Sequence, residues 1–178
     1  MKIKRAVFSL MCVCVSLALL TIIGCDGGDN AVPVVQASLP IGFFLTASPG
    51  DPVAVQQLKT EAKPGDEAIV RVVVGGEKKV FVEDRAVVKV IDASVENPCL
   101  APGDACRTPW DYCCTPADEL QAHRATIKVT DEQDKTLKLC LKGQGEIEEL
   151  KTLVVKGVVA AGSDNRNLII NAQCIFQE

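Results

Sequence analysis

Apolar and polar positions change their period several times along this chain, and each change marks an element. Val55, Leu58 and Ala62 recur three and four residues apart within DPVAVQQLKTEAKPG, the spacing of one helix face. Asp51 suits the N-cap, Pro52 the first helical position and Pro64-Gly65 the stop. The pattern predicts a short helix over residues 52–62, with its glutamines and lysines in solvent. From Asp66 onward the period falls to two. Residues 68–74 (AIVRVVV), 86–91 (AVVKVI) and 125–130 (ATIKVT) read as strands, with Gly75-Gly76 turning the chain after the first. Residues 131–134 form a hairpin loop, and 136–141 return as a strand with Leu137, Leu139 and Leu141 inward. A loop with one helical turn spans 143–149. Residues 153–160 (LVVKGVVA) and 168–176 (LIINAQCIF) are the closing strands, joined by the turn at 162–165. Cys174 shares the alternation of Leu168, Ile170, Ala172 and Phe176, which predicts an inward, buried thiol. Ile41, Phe43, Phe44 and Leu45 are expected to pack on the core or an edge.

Short strands with Gly and Asp turns argue for an all-β barrel or a β-sandwich. The order is more specific than the count. Three stretches of strand, an irregular link and two more strands resemble the oligonucleotide/oligosaccharide-binding (OB) fold, a small Greek-key barrel. The final VVKGVVAAGSDNRNLIINAQCIF is similar to the closing hairpin of exported bacterial OB-fold proteins, with Gly157 where the barrel strand bends. The domain over 66–178 also resembles a group of uncharacterised bacterial lipoproteins that share the Gly75-Gly76 pair, a PWDYCC segment and this ending. That resemblance implies no activity. The expectation is an all-β, OB-like barrel of five to six strands with a short N-terminal helix over 51–65. The β-sandwich is the alternative.

The N-terminus reads as a targeting segment. Lys2, Lys4 and Arg5 precede an apolar run from Ala6 to Ile23, the pattern of a secretory signal. The run ends LTIIGC and DGGDN follows, which resembles the lipobox of bacterial lipoproteins. The resemblance implies cleavage of residues 1–24, lipidation of Cys25 and stable attachment to a bacterial membrane facing the periplasm or the cell exterior. Residues 25–50 are then the lipidated cysteine and a flexible tether rich in Gly, Pro and small residues. An uncleaved membrane anchor is the competing reading of the same run. Losing residues 1–24, with three basic and no acidic residues, moves the formal net charge from −4 to −7.

Of nine cysteines, Cys12 and Cys14 leave with the signal segment and Cys25 carries lipid. Cys99, Cys106, Cys113, Cys114, Cys140 and Cys174 remain. An even number in an exported chain is expected to form disulfides, and the sequence does not choose the pairing. Four lie in CLAPGDACRTPWDYCC, inside a strand-free insertion over 94–122 that needs a staple. Cys113 and Cys114 are adjacent, so each is expected to reach a different partner, such as Cys99 and Cys106. Cys140 faces away from Leu139 and Leu141 and could meet the insertion outside the barrel. Structural zinc favours pairs spaced C-x2–4-C, whereas the spacing here is C-x6-C-x6-C-C. Zinc or copper at Cys99, Cys106, Cys113 and Cys114 is therefore the alternative, and no cofactor the expectation. Redox exchange lacks its usual C-x-x-C. Asp104 and Asp111 read as turn residues. His123, the lone histidine, reads as a surface residue rather than a ligand.

An acidic domain with few strand aromatics does not suit nucleic acid. There is no G-x-S-x-G, H-E-x-x-H or P-loop, and one histidine removes most Ser/His and Cys/His schemes. Glu148-Glu149 read as solvated charges. The expected function is a lipid-anchored, noncatalytic module of the cell envelope, either binding a protein partner or a small ligand or serving a purely structural role. The alternative is a metal- or redox-handling protein using the cysteine cluster. Trp110 and Tyr112 read first as apolar filling of the insertion. Together with Arg107 they are also its candidate contact tip.

Overall fold

A computed structural model of the chain describes residues 37–178. The signal segment, Cys25 and the tether up to residue 36 lie outside the described residues. The elements are β1 (Phe44–Leu45), α1 (Val55–Glu61), β2 (Glu67–Val74), β3 (Val87–Asp92), α2 (Ala117–His123), β4 (Arg124–Lys128), β5 (Thr152–Val159) and β6 (Leu168–Gln177). Three single 3-10 turns lie between them, at Pro98–Leu100, Pro109–Asp111 and Gln144–Glu146. Among the described residues no helix is long and apolar enough to cross a membrane.

Alternation builds the barrel. Ala68, Val70, Val72 and Val74 of β2 are buried, and so are Val88 and Val90 of β3, Ala125 and Ile127 of β4, and Leu153, Val155 and Val159 of β5. A strand with one apolar face must bury it, and these four faces, with Leu168, Ile170, Ala172 and Ile175 of β6, surround one core. β2 pairs antiparallel with β3 and β5, β3 with β4, and β5 with β6. β4 and β6 run parallel, from Ala125↔Leu168 to Lys128↔Asn171, and close the ring. A closed five-stranded ring with one parallel contact is the OB-like barrel, so the sandwich is excluded. β1 adds a sixth strand, Phe44↔Ile175 and Leu45↔Phe176, and sends the buried Phe43 into the core.

Four expectations need correction. The first concerns the last strand. Its register with β5 passes from Lys156↔Cys174 to Gly157↔Ala172, which leaves Gln173 as an extra residue. One extra residue reverses the inward phase. Ile175 is therefore buried, while Cys174 and Phe176 are only half-buried on the opposite face. Gly157 sits at this bulge as the bend required. A Cβ there would stand 2.3 Å from the Asn171 carbonyl oxygen and 2.9 Å from Ala172 Cα.

The second is the helix start. The Val53 amide donates to the Ile69 carbonyl at 2.8 Å, which keeps the chain extended beside β2 and delays the helix to Val55. Asp51 is not its cap. Instead Asp92, from the end of β3, accepts the Val55 N–H at 2.7 Å through Oδ2 and holds Ser94 through Oδ1. The third is the solvated face of that helix. Lys59 is buried, and its Nζ donates to the carbonyls of Gln121 (2.5 Å) and Arg166 (3.1 Å).

The fourth is the strand over 136–141. Only the Thr130↔Thr136 bridge and the Leu137–Val129 and Ala86–Leu137 backbone bonds form. Both edges of β4 are already taken, by β3 and β6, so a returning strand has no edge to join. The inward leucines survive this: Leu141 is fully buried, and Leu137 and Leu139 pack against the core.

Candidate functional site

The insertion between β3 and β4 docks along the stretch that leaves β2. The Gly76 N–H donates to the Trp110 carbonyl at 2.8 Å, and Trp110 Nε1 donates to the Lys78 carbonyl at 3.3 Å. Gly75 makes the approach possible, since a Cβ there would lie 2.8 Å from the Trp110 oxygen and 3.0 Å from Tyr112 Cε2. Tyr112 is 2% exposed and takes a left-handed backbone (φ 55°) at the end of the Pro109–Asp111 turn. Burial pushes its phenol above the usual range. Tyr112 is therefore filling and offers no contact surface. Trp110 is half-buried against the core, and Arg107 is exposed. Leu100, which the sequence reading did not single out, is 58% exposed on the same insertion.

Three short motifs place the sulfurs. Asn97 Oδ1 accepts the Cys99 N–H at 3.1 Å, Asp104 Oδ1 the Cys106 N–H at 2.7 Å, and Asp111 Oδ1 the Cys113 N–H at 3.0 Å. Each is an Asx turn, in which a short polar side chain bonds the backbone two residues on. Asp104 and Asp111 are thus the turn residues expected. Asn97 was missed, although the signal is in the sequence: N-P-C, D-A-C and D-Y-C recur at seven-residue spacing. Asn97 also ties the start of the insertion to its middle, donating from Nδ2 to the Pro109 carbonyl at 2.8 Å.

The result is a convergence of sulfurs. Cys113 Sγ lies 3.5 Å from Cys99 Sγ, 3.7 Å from Cys106 Sγ and 3.9 Å from Cys114 Sγ. The ligand atoms of Cys99, Cys106, Asp111 and Cys113 all lie within 4.8 Å of one another. Cys99 is buried, Cys106 and Asp111 are half-buried, and Cys113 is exposed. The expected disulfides are not what this geometry shows. All six cysteines among the described residues are free, with no sulfur pair at the bonding distance of about 2.0 Å. Cys140 and Cys174 do not join the cluster. Cys174 lies on β6 opposite Lys156, and Cys140 follows Leu139 in the chain segment beyond the Thr136 bridge.

Electrostatics inside the cluster divide the thiols. Burial opposes ionisation of Cys99, but hydrogen bonds from the Cys114 backbone and from the other thiols outweigh it and bring its pKa below the usual value. Sharing hydrogen bonds with Cys99, Cys106 and Cys114 holds the Cys113 thiol well above its ordinary range, and Cys99 holds Cys114 above its own. The hydrogen bonds within the group thus favour ionisation of Cys99 and oppose that of Cys113 and Cys114. His123 ends α2 with Nδ1 buried and unpartnered, half-buried rather than on the surface, and takes no part in the sulfur group.

Comparison with known proteins identifies no relative: no protein-family model, curated protein or solved structure matches this chain.

Proposed function

We propose that the chain is a lipid-anchored, noncatalytic OB-like module of the bacterial cell envelope. Cys25 holds it to the membrane, and the exposed rim of the cysteine insertion meets a protein partner. One observation carries the binding part of this reading. The insertion is fixed to the barrel through Gly75, Gly76 and Lys78, yet it turns Leu100, 58% exposed, outward together with the exposed Arg107. An apolar and a cationic side chain on a pre-organised loop suit a protein surface. The barrel interior is lined with apolar side chains, since Val70, Val72, Val88, Val90, Ile127, Leu153, Val155 and Ile170 are all fully buried. The anchor rests on LTIIGC and on the charge and length of the segment before it.

Two measurements test the two halves. Intact mass of protein extracted from membranes should show cleavage before Cys25 and added acyl mass, and Cys25→Ser should move the chain to the soluble fraction. Crosslinking in membranes should capture a partner that Leu100→Ser with Arg107→Ser no longer captures. Unmodified mass at Cys25 overturns the anchor. Unchanged crosslinks in the double variant overturn the docking surface.

A further inference from the structure

We propose that Cys99, Cys106 and Cys113, with Asp111 as fourth ligand, form a tetrahedral zinc site that closes the insertion. The spacing of the donors carries this. In a tetrahedral site with metal–sulfur bonds of about 2.3 Å, neighbouring sulfurs stand about 3.8 Å apart. The Cys113–Cys99 and Cys113–Cys106 separations are 3.5 and 3.7 Å. A disulfide would need them at about 2.0 Å, and Cys113 could join only one of the two. A single ion satisfies both contacts at once. The carboxylate completes the set, since all four donor atoms lie within 4.8 Å of one another. Asp111 Oδ1 accepts the Cys113 amide and Oδ2 accepts the Thr108 hydroxyl at 2.8 Å, and each carboxylate oxygen keeps a further lone pair for an ion. Those two bonds orient the ligand as second partners do in metal sites.

The chemistry of the set selects the metal. Three thiolates favour a thiophilic cation, and a carboxylate in a tetrahedral arrangement favours Zn2+ over Cu+. The graded burial, from Cys99 inside to Cys113 at the surface, leaves an entry path for the ion. The unusual C-x6-C-x6-C spacing is explained as well. Each cysteine sits in its own Asx turn instead of sharing a knuckle, so three copies of one small unit deliver three sulfurs to one point. The site needs only residues 97–114 and is independent of the lipid anchor and of any partner.

The test uses full-length protein extracted from membranes without reductant or chelator. One zinc per chain is expected by elemental analysis. Cys99, Cys106 and Cys113 should resist alkylation until a chelator is added. Cobalt substituted for zinc should give an intense thiolate-to-metal absorption in the near ultraviolet. Cys113→Ser should weaken zinc binding by about 100-fold or more. Cys114→Ser and Cys140→Ser should leave it unchanged. Asp111→Asn keeps an acceptor for the Cys113 amide, so it preserves the loop and should alter the cobalt spectrum while the barrel's circular dichroism stays the same. Two disulfides and no metal in the native protein would overturn the proposal. So would zinc binding that survives Cys113→Ser, or a cobalt spectrum indifferent to Asp111→Asn.

Discussion

Gly75→Ala separates the insertion from the barrel with one methyl group. The added Cβ would stand 2.8 Å from the Trp110 carbonyl oxygen and 3.0 Å from Tyr112 Cε2. To reach ordinary contact the carbonyl must withdraw by roughly 0.6 Å, and an overpacked site of this kind costs about 1–3 kcal/mol. That carbonyl also accepts the Gly76 N–H at 2.8 Å, so withdrawal stretches the bond that fixes the insertion. Losing its net contribution adds about 1 kcal/mol. One rung of the barrel does use Gly75, whose N–H donates to the Lys89 carbonyl of β3 at 3.2 Å, but the rest of the pairing lies away from the Trp110 contact: β2 meets β3 over Val72–Val74 and β5 over Glu67–Val73. The insertion should therefore loosen by about 2–4 kcal/mol while the ring persists. Trp110 is the only tryptophan, so its emission reports docking alone. In a urea titration the variant's fluorescence transition should fall to lower denaturant than its far-ultraviolet dichroism transition, whereas the parent shows both together. Coincident transitions at the parent's midpoint would refute the claim that Gly75 is the hinge of docking.

Other consequences follow from the same contacts. Asp92→Ala removes the acceptor of the Val55 amide and of both Ser94 donors, and should lower stability by about 2–4 kcal/mol in chemical denaturation; a loss under 1 kcal/mol would show that α1 caps itself. Gly157→Ala drives a methyl onto the backbone of β6 and should cost about 3 kcal/mol, read as a lower thermal midpoint by both probes at once. Lys59 is lowered from 10.5 to about 8 by burial, with Arg124 adding repulsion and Asp164 partly opposing it. Between those pH values the unfolded chain binds the extra proton, so the stability difference between parent and Lys59→Met should shift in the parent's favour from pH 8 upward and stay flat below. A pH-independent difference would count against the buried ammonium.

The barrel was legible because its strands carry a period near two, unbroken in β2 and β4, and glycines mark several of the turns. What escaped reading depends on partners far away in the chain. Nothing in LIINAQCIF announces that Gln173 is skipped, because the skip is set by Gly157 on the paired strand, and with it Cys174 changes face. Asp51-Pro52 looks like a helix start in isolation, but Val53 is held by Ile69 and the capping carboxylate comes from Asp92. Thr136–Leu141 alternates like a strand, yet strands need an edge, and β4 had none left. The cysteine insertion lies between these cases. Its lack of strand period was plain, and so were its turn residues. The convergence of its sulfurs depends on three Asx turns whose seven-residue repeat is written in the chain, though its meaning appears only once the folded turns bring the three sulfurs together.

β6 also sets a clock. Along one edge it holds β4 near its start and β1 near its end, and along the other it holds β5. Until those ten residues exist, β4 and β5 each keep an unpaired edge and β1 has no partner at all. A chain emerging from the ribosome thus cannot close early, since the closing contact joins Ala125 to Leu168 across the whole β5 hairpin. The open chain stays threadable through a narrow pore until its final strand is made. Its open strand edges also need protection from neighbouring chains during that interval.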